Sequence, residues 1–364
     1  MFGSDVLSSL ALVPVLVLLL PGLVPVPVLV LLVPGLLLVV FAESFTNTVC
    51  LNWRGLPETG SSRMRTEFYS SATLATMPMP NGIGIIDTMM DLPFDDVRSI
   101  YEFLAPNLKD TASKEEFEFP AQYMFKKVPG AMEAGEDPVA HTLALMDHHG
   151  IEMAMIGAGG KHQMRALTDH PDRFLPSIGV DPNEGMKAVE QIVRAYETTG
   201  LRALAGFPAG YSPQVPINDK RWYPIYAKCC ELEIPVFMCT GVPGPRVPMA
   251  CQKPELLDEV CWFFPELTIV MRHGAEPWEE LAVKLMIKWP NLYYSTSAFA
   301  PKYYPKAIID YANTRGSDKV MYGGYFPMGL TLDRIFSEMP NVPLKDEVWP
   351  KFLRENARKV LGLA

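Results

Sequence analysis

Short apolar runs rich in β-branched and aromatic residues alternate with helix-like stretches eight times between residues 83 and 325. Strands that alternate with helical patterns in this way predict parallel βαβ units. Eight such units in roughly 250 residues predict the α/β class and, within it, a (β/α)₈ barrel of the TIM-barrel type. The predicted strands are 83–88, 151–156, 174–180, 202–207, 234–239, 267–272, 292–296 and 319–325.

The composition sets limits on the class of protein. The chain has 364 residues, of which 49% are hydrophobic, and this is enough for one large core. Its net charge is −9, and it contains no run of Lys and Arg, so we expect no nucleic-acid partner. The six cysteines form no CxxC pair and no disulfide-type pattern. Cysteines of this kind are typical of reduced thiols, and we therefore expect a cytoplasmic protein.

The N-terminal residues are of a different composition. Residues 10–42 contain no charge and are long enough to span a bilayer, but five prolines disfavour a regular helix. The near repeat of 12–22 in 26–35 leaves two interpretations open, a membrane tether with the barrel on the cytoplasmic side or a gene-model artefact. We expect three parts: the apolar segment 1–42, a polar linker 43–80 and a barrel over 81–364.

The first connection of the barrel is unusually long. Its insertion, 106–140, is rich in acidic and aromatic residues (KEEFEFPAQYMF). A loop of this length in a compact domain is usually a lid, a binding loop or an oligomer contact, and we expect a homo-oligomer. After it, 137–150 reads as a helix that ends at Gly150. His148 and His149 in its last turn complement the helix dipole.

Candidate functional residues follow from the fold, because barrel enzymes carry their chemistry at the C-terminal ends of the strands. His273 ends the sixth strand and can act as an acid or base near neutral pH, with Arg272 and Glu276 as its nearest candidate partners. Cys239 ends the fifth strand. The proline-rich loop 241–249 can hold Arg246 in an ordered position over the mouth of the barrel, and an arginine there suits recognition of a carboxylate.

One further polar residue has two interpretations. Asp181 follows the third strand, where it either caps the next helix or faces the pocket.

Several stretches resemble the amidohydrolase-related barrels, and most closely the aminocarboxymuconate-semialdehyde decarboxylase branch. The resemblance covers about 280 residues and keeps the order of the family's motifs. It is carried by HPDRFLPSIGVDPN (170–183), YPIYAKCCELEIPVFMCTG (223–241), FFPELTIVMRHGAEPW (263–278), WPNLYYSTS (289–297) and KVMYGGYFP (319–327).

The resemblance implies a metal held by a His-x-His pair after strand one, a His ending each of strands five and six, and an Asp ending strand eight. In this chain those positions hold Met89 and Asp91, Cys239, His273 and Tyr325, so only His273 is unchanged. Each ligand of a four-ligand zinc site contributes on the order of 3 kcal/mol. We therefore expect no cofactor, with a zinc site of Asp91, Cys239 and His273 as the alternative.

Three functional hypotheses remain. The first is a hydrolase or carboxy-lyase without metal that acts on a small carboxylated compound. In it His273 is the acid or base, Arg272 or Arg246 holds the carboxylate, Asp87 and Glu276 orient these groups, and Tyr325 donates a hydrogen bond. The second is the zinc enzyme of the same class. The third is an inactive pseudoenzyme that binds a ligand or a partner through the barrel mouth and the insertion.

Overall fold

The computed structural model describes residues 79–94, 101–115, 119–125 and 135–363, together with the backbone of two strands, β1 (Val28–Val33) and β2 (Leu36–Phe41). The chain divides into two compact units, Met1–Ser71 and Ala72–Ala364. The predicted linker 43–80 lies almost wholly outside the described residues. The boundaries predicted at 42 and 80 stay predictions.

In the first unit, β1 and β2 pair antiparallel, with Val33 opposite Leu36. This part of the apolar segment 10–42 is therefore extended and not helical, and the rest of the segment lies outside the described residues. Among the residues that the structure describes, none of the helices has the length and apolar character that crossing a bilayer requires. The membrane tether considered for 10–42 has no support here.

The second unit confirms the predicted barrel. Eight parallel strands hydrogen-bond in strict sequence order from β3 to β10. Each lies inside or within one residue of a stretch predicted from the sequence. The strands are β3 (Ile85–Asp87), β4 (Ile151–Gly157), β5 (Phe174–Gly179), β6 (Ala203–Gly206), β7 (Val236–Cys239), β8 (Ile269–Arg272), β9 (Leu292–Ser295) and β10 (Val320–Met321).

Helices follow the strands, as the βαβ pattern predicts. The α-helices described are Thr111–Glu115, Pro138–His149, Lys161–Asp169, Met186–Thr199, Tyr223–Glu231, Leu257–Phe263, Glu279–Lys288, Lys306–Ala312, Leu332–Glu338 and Asn356–Val360. The helix expected to end at Gly150 does so, with Gly150 in the left-handed conformation (φ 70°). Asp181 is the N-cap of the 3₁₀ turn Pro182–Glu184 and accepts a hydrogen bond from the Asn183 amide, which confirms the capping interpretation.

The barrel interior is filled by one buried apolar side chain from each strand: Ile86, Met155, Leu175, Ala203, Phe237, Val270, Tyr293 and Met321. Ala357, Val360 and Leu361 of the C-terminal segment pack against this layer. That segment also bonds to the beginnings of strands, through Arg354 to Glu152 and Asn356 to the Val320 carbonyl. The N-terminal end of the barrel is thereby covered, and the C-terminal end remains for a site.

The seam between β3 and β10 is closed by side chains, because the backbone ladder runs from β10 to β3 without joining the two. Thr88 donates its hydroxyl to the Tyr322 carbonyl (2.8 Å) and accepts from the Ser295 hydroxyl (3.1 Å). The Asp87 carboxylate accepts from the Gly324 amide (2.8 Å). The predicted strand 319–325 ends early at Met321, since the following backbone serves these side chains instead of a ladder.

Close packing at this seam explains why the MYGGY stretch has glycine at positions 323 and 324. A Cβ at Gly323 would meet the Ser295 hydroxyl at 2.4 Å, and a Cβ at Gly324 would meet an Asp87 carboxylate oxygen at the same distance. Only glycine permits such close approach of backbone to side chain.

We predict that Thr88→Val lowers the free energy of unfolding by about 1–3 kcal/mol, because it leaves the buried Tyr322 carbonyl and Ser295 hydroxyl without their partner at nearly unchanged volume. Urea unfolding followed by circular dichroism measures the change. The matched control is Thr168→Val, which removes an exposed hydroxyl that donates to the Met164 carbonyl one helical turn earlier. Equal loss in both variants would contradict a special role of the seam.

Candidate active site

The candidate residues of the sequence gather at the C-terminal ends of the strands. Asp87 ends β3, Cys239 ends β7, and Arg272 ends β8 beside Cys239 in the ladder register. His273 follows β8 directly, and Tyr325 follows the seam after β10. Met89 and Asp91 lie on the loop that leaves β3.

The half-buried guanidinium of Arg272 is the centre of this group. Its Nε atom donates to the Cys239 Sγ atom at 3.3 Å, and an Nη atom lies 3.6 Å from the Met89 Sδ atom. Among the described residues, no carboxylate lies within 4 Å of this guanidinium. An arginine in this condition carries a positive charge that the described residues leave unpaired and that an anionic ligand can compensate.

His273 is held in a strained backbone conformation (φ 62°), which is uncommon for a residue other than glycine. Its amide donates to the Ser297 hydroxyl at 3.1 Å, and the same hydroxyl lies 3.1 Å from the ring Nδ1 atom. Burial and, secondarily, the Arg272 charge hold the pKa of His273 well below its usual value. The imidazole is therefore neutral at pH 7, and one of its ring nitrogens carries a free lone pair.

Tyr325 lies against His273, with ring centroids 5.2 Å apart and an edge-on geometry. Burial raises the pKa of the Tyr325 phenol, and the charge of Arg272 opposes this only in part. Burial likewise raises the pKa of the Cys239 thiol. Both groups are therefore neutral at pH 7, so Tyr325 is a hydrogen-bond donor and Cys239 is not a thiolate.

Asp87 and Asp91 flank this group on the β3 side. Asp87 is fully buried, and its Oδ1 atom accepts from the amides of Gly324 and Met89. The Asp91 carboxylate accepts from the Gln163 amide group (2.9 Å) and the Leu92 backbone amide (2.7 Å). Burial raises the pKa of each carboxyl to about 6, against these hydrogen bonds. Asp87 thus orders the seam and the start of the Met89 loop.

Two candidates lie apart from the group. The Glu276 side chain is exposed, and within the described part of the chain its carboxylate makes no hydrogen bond or ion pair with Arg272 or His273. Arg246 is held by the insertion: it lies 4.1 Å from the Tyr123 ring, 3.3 Å from the Ser113 hydroxyl and 3.7 Å from the Asp110 carboxylate. The roles assigned to these two residues stay predictions.

The insertion covers the site with aromatic rings. Phe125 stacks on Tyr325 with centroids 5.9 Å apart, and Phe119 lies 6.5 Å from Tyr325. Tyr123 donates its hydroxyl to the Gly244 carbonyl of the 241–249 loop. Residues 116–118 and 126–134 of the insertion lie outside the described residues. The described part acts as a cover over Tyr325.

Sequence reasoning missed Ser297 and Gln163, which are the actual partners of His273 and Asp91. Ser297 belongs to the polar YSTS run at the end of the seventh barrel strand, and that position was a usable signal. Gln163 lies in the Lys161–Asp169 helix, where nothing in the local sequence distinguishes it from a surface residue.

The residues at the strand ends do not fit the metal that the family resemblance implies. In the described part of the chain, the one group of three His, Cys, Asp or Glu side chains with ligand atoms close enough to share an ion is His148, His149 and Asp333. Asp91, Cys239 and His273 are not such a group, and the Arg272 guanidinium lies between Met89 and Cys239. The alternative zinc site therefore has no support from the geometry.

Comparisons with known proteins agree with this fold. The amidohydrolase family model matches residues 102–363, well over half of the chain, and the chain belongs to the amidohydrolase family. No curated protein matches its sequence.

Three solved structures illustrate the fold. An uncharacterized TIM-barrel protein from Bordetella bronchiseptica is 23% identical, with a TM-score of 0.61 over 77% of this chain and 98% of its own. The 5-carboxyvanillate decarboxylase from Novosphingobium aromaticivorans, solved with manganese and a nitrobenzoic acid, is 17% identical, with a TM-score of 0.55 over 78% of this chain and 97% of its own. The 2,6-dihydroxybenzoate decarboxylase from Rhizobium is 16% identical, with a TM-score of 0.51 over 78% of this chain and 99% of its own.

We predict that Asp87 makes stability depend on pH. Its pKa is raised on folding from 3.8 to about 6, so the folded state holds the proton more tightly. The resulting stabilisation is full below pH 4 and is lost as the pH rises through 6, by up to about 3 kcal/mol. Asp87→Asn, which retains the Oδ1 acceptor, should therefore lose less stability than wild type between pH 4 and 7.

Urea unfolding at several pH values measures this difference. Asp172→Asn, at an exposed position, is the matched control and should follow the wild-type curve. Parallel curves for wild type and Asp87→Asn would contradict the prediction.

Proposed function

We propose that this amidohydrolase-family barrel is a hydrolase or carboxy-lyase that acts on a small carboxylated compound without a metal ion. One observation carries the proposal: the Arg272 guanidinium has no carboxylate partner among the described residues and lies at the end of the barrel where His273 and Tyr325 also lie. A cation free to bind a carboxylate and a neutral base at one rim are what such a reaction requires.

In this mechanism, Arg272 binds the carboxylate of the substrate through the N–H groups that no described side chain uses. His273, neutral at pH 7, accepts a proton from water or from the substrate and returns it later in the reaction. Tyr325, protonated at pH 7, donates a hydrogen bond to a substrate oxygen. Ser297 orients the His273 ring through Nδ1. Asp87 acts at a distance, by fixing the seam that positions the loops.

The substrate class follows from the aromatic cover. Phe125 and Phe119 lie against Tyr325, and such a surface favours a flat ring or a conjugated chain next to the cation. The decarboxylases of similar fold named above act on aromatic acids by their names, 5-carboxyvanillate and 2,6-dihydroxybenzoate. We therefore propose an aromatic or ring-derived carboxylate as substrate.

A second candidate is a pseudoenzyme that binds a partner through the insertion. The observation in its favour is the exposure of apolar side chains in and just before the insertion. Tyr123 is 49% and Met124 53% exposed, and Phe103, which precedes the insertion, is 50% exposed. The same surface suits the contact of a homo-oligomer.

For either function we propose a cytoplasmic location, because the described cysteines are free thiols.

We predict that His273→Ala lowers kcat/KM by about 10²- to 10⁴-fold on any substrate that a panel of aromatic and ring-derived carboxylates identifies, because it removes the proton acceptor. Steady-state kinetics measure the loss. The matched control, His148→Ala, changes an exposed histidine at the end of the Pro138–His149 helix and should retain wild-type rates. Full turnover by His273→Ala would remove this mechanism, and turnover of any panel member by wild type would remove the pseudoenzyme.

We further predict that Tyr325→Phe lowers kcat by roughly 10-fold or more while KM changes little, because the ring still stacks on Phe125 and only the donated hydrogen bond is lost. A change in KM alone would instead indicate that the hydroxyl contributes equally to binding substrate and transition state.

A further inference from the structure

The C-terminal ends of the strands carry a fixed positive charge, which is a side chain and not a bound ion. The Arg272 guanidinium contacts the Cys239 and Met89 sulfur atoms at 3.3 and 3.6 Å. These residues occupy two of the positions at which the family resemblance places metal ligands. The guanidinium therefore lies where a divalent ion with those ligands would be bound.

The other residues at the implied metal-ligand positions also make contacts within the chain. The Asp91 Oδ1 atom accepts from the Gln163 amide group and from the Leu92 amide, and the His273 Nδ1 atom lies within hydrogen-bond distance of the Ser297 hydroxyl. Tyr325 packs between His273 and Phe125. A metal ion at the centre would meet a like charge and few free donor atoms.

The same guanidinium keeps part of its binding capacity. It has five N–H donors, and among the described residues two of them are engaged, by the sulfurs of Cys239 and Met89. Thiol and thioether sulfurs are weak acceptors and carry no charge that would neutralise the arginine.

We infer that Arg272 replaces the divalent metal as the fixed cation of this site: its side chain excludes a metal ion and binds the carboxylate group of the ligand in its place. The carboxylate-binding half rests on the proposed function, whereas the exclusion of metal is independent of any turnover.

The first experiment restores ligands with and without the arginine. Met89→His/Cys239→His keeps Arg272, and Met89→His/Cys239→His/Arg272→Met removes it. All proteins carry His148→Ala, so that the His148, His149 and Asp333 group does not contribute. After treatment with a chelator, each is titrated with Zn²⁺ and with Mn²⁺ by calorimetry, and circular dichroism verifies folding.

We expect no stoichiometric binding by wild type in this background, and binding of one ion by the triple variant roughly 100-fold tighter than by the double variant. Equal affinities of the double and triple variants would overturn the inference, as would a stoichiometric metal in the His148→Ala protein purified without a chelator.

The second experiment needs only single substitutions and so remains decisive if the multiple variants do not fold. Benzoate is titrated into wild type, Arg272→Met, Arg272→Lys and Arg246→Met. We expect Arg272→Met to weaken benzoate binding by about 10-fold or more, Arg272→Lys to retain part of it, and Arg246→Met to match wild type. Loss in Arg246→Met with retention in Arg272→Met would overturn the inference.

The two proposals fail in different ways. If Arg272 behaves as expected in both experiments but no carboxylate is turned over, the proposed reaction is wrong and the replacement of the metal stands. If a carboxylate is turned over only with added metal, the replacement is wrong.

Discussion

The seam between β3 and β10 is the contact on which the site depends. Seven of the eight boundaries between neighbouring barrel strands are joined by backbone ladders in this structure. The eighth is joined by Asp87 and Thr88 against the backbone of residues 322–324. Each of these segments continues directly into a site residue, Met89 on one side and Tyr325 on the other. Closing the barrel therefore also fixes two walls of the site.

This arrangement explains why a carboxylate is buried completely. Asp87 costs free energy when it is charged, since burial raises its pKa to about 6. It nevertheless accepts from two backbone amides, one on each side of the seam, which an apolar side chain of similar size would leave without a partner. Double glycine at 323 and 324 is the matching adaptation, because any Cβ there would collide with the side chains of the seam.

The sequence was sufficient for the barrel and for the rim on which the site lies. Strand periodicity identified all eight strands, and the strand ends gave Cys239, Arg272 and His273 as candidates at one rim. In the register of β7 and β8, Cys239 lies opposite Arg272. The partners of these residues were harder to predict. Glu276 is near His273 in sequence but exposed, whereas Ser297, 24 residues further on, makes the contact.

The N-terminal segment and Arg246 show the same limit. Length and hydropathy permitted a membrane span at 10–42, but strand pairing over Val28–Phe41 is a property that hydropathy does not register. Arg246 was expected over the mouth from its loop, and it contacts the insertion because the 106–140 segment brings Asp110 and Tyr123 to it. Contacts between segments far apart in sequence leave no local pattern.

The side chains at the rim favour a cation with a single charge, such as a guanidinium, over a divalent metal ion. A divalent ion bound in a half-buried site needs strong donor ligands such as imidazole, carboxylate or thiolate. Here the residues in its place are a thioether, a thiol and a phenol, and burial keeps the last two protonated. These neutral groups tolerate a single guanidinium charge, which is delocalised and weakly hydrated. Under the proposed replacement of the metal by Arg272, the residues at 89, 239 and 325 are consistent with one another: none supplies a strong metal ligand, and an arginine requires none.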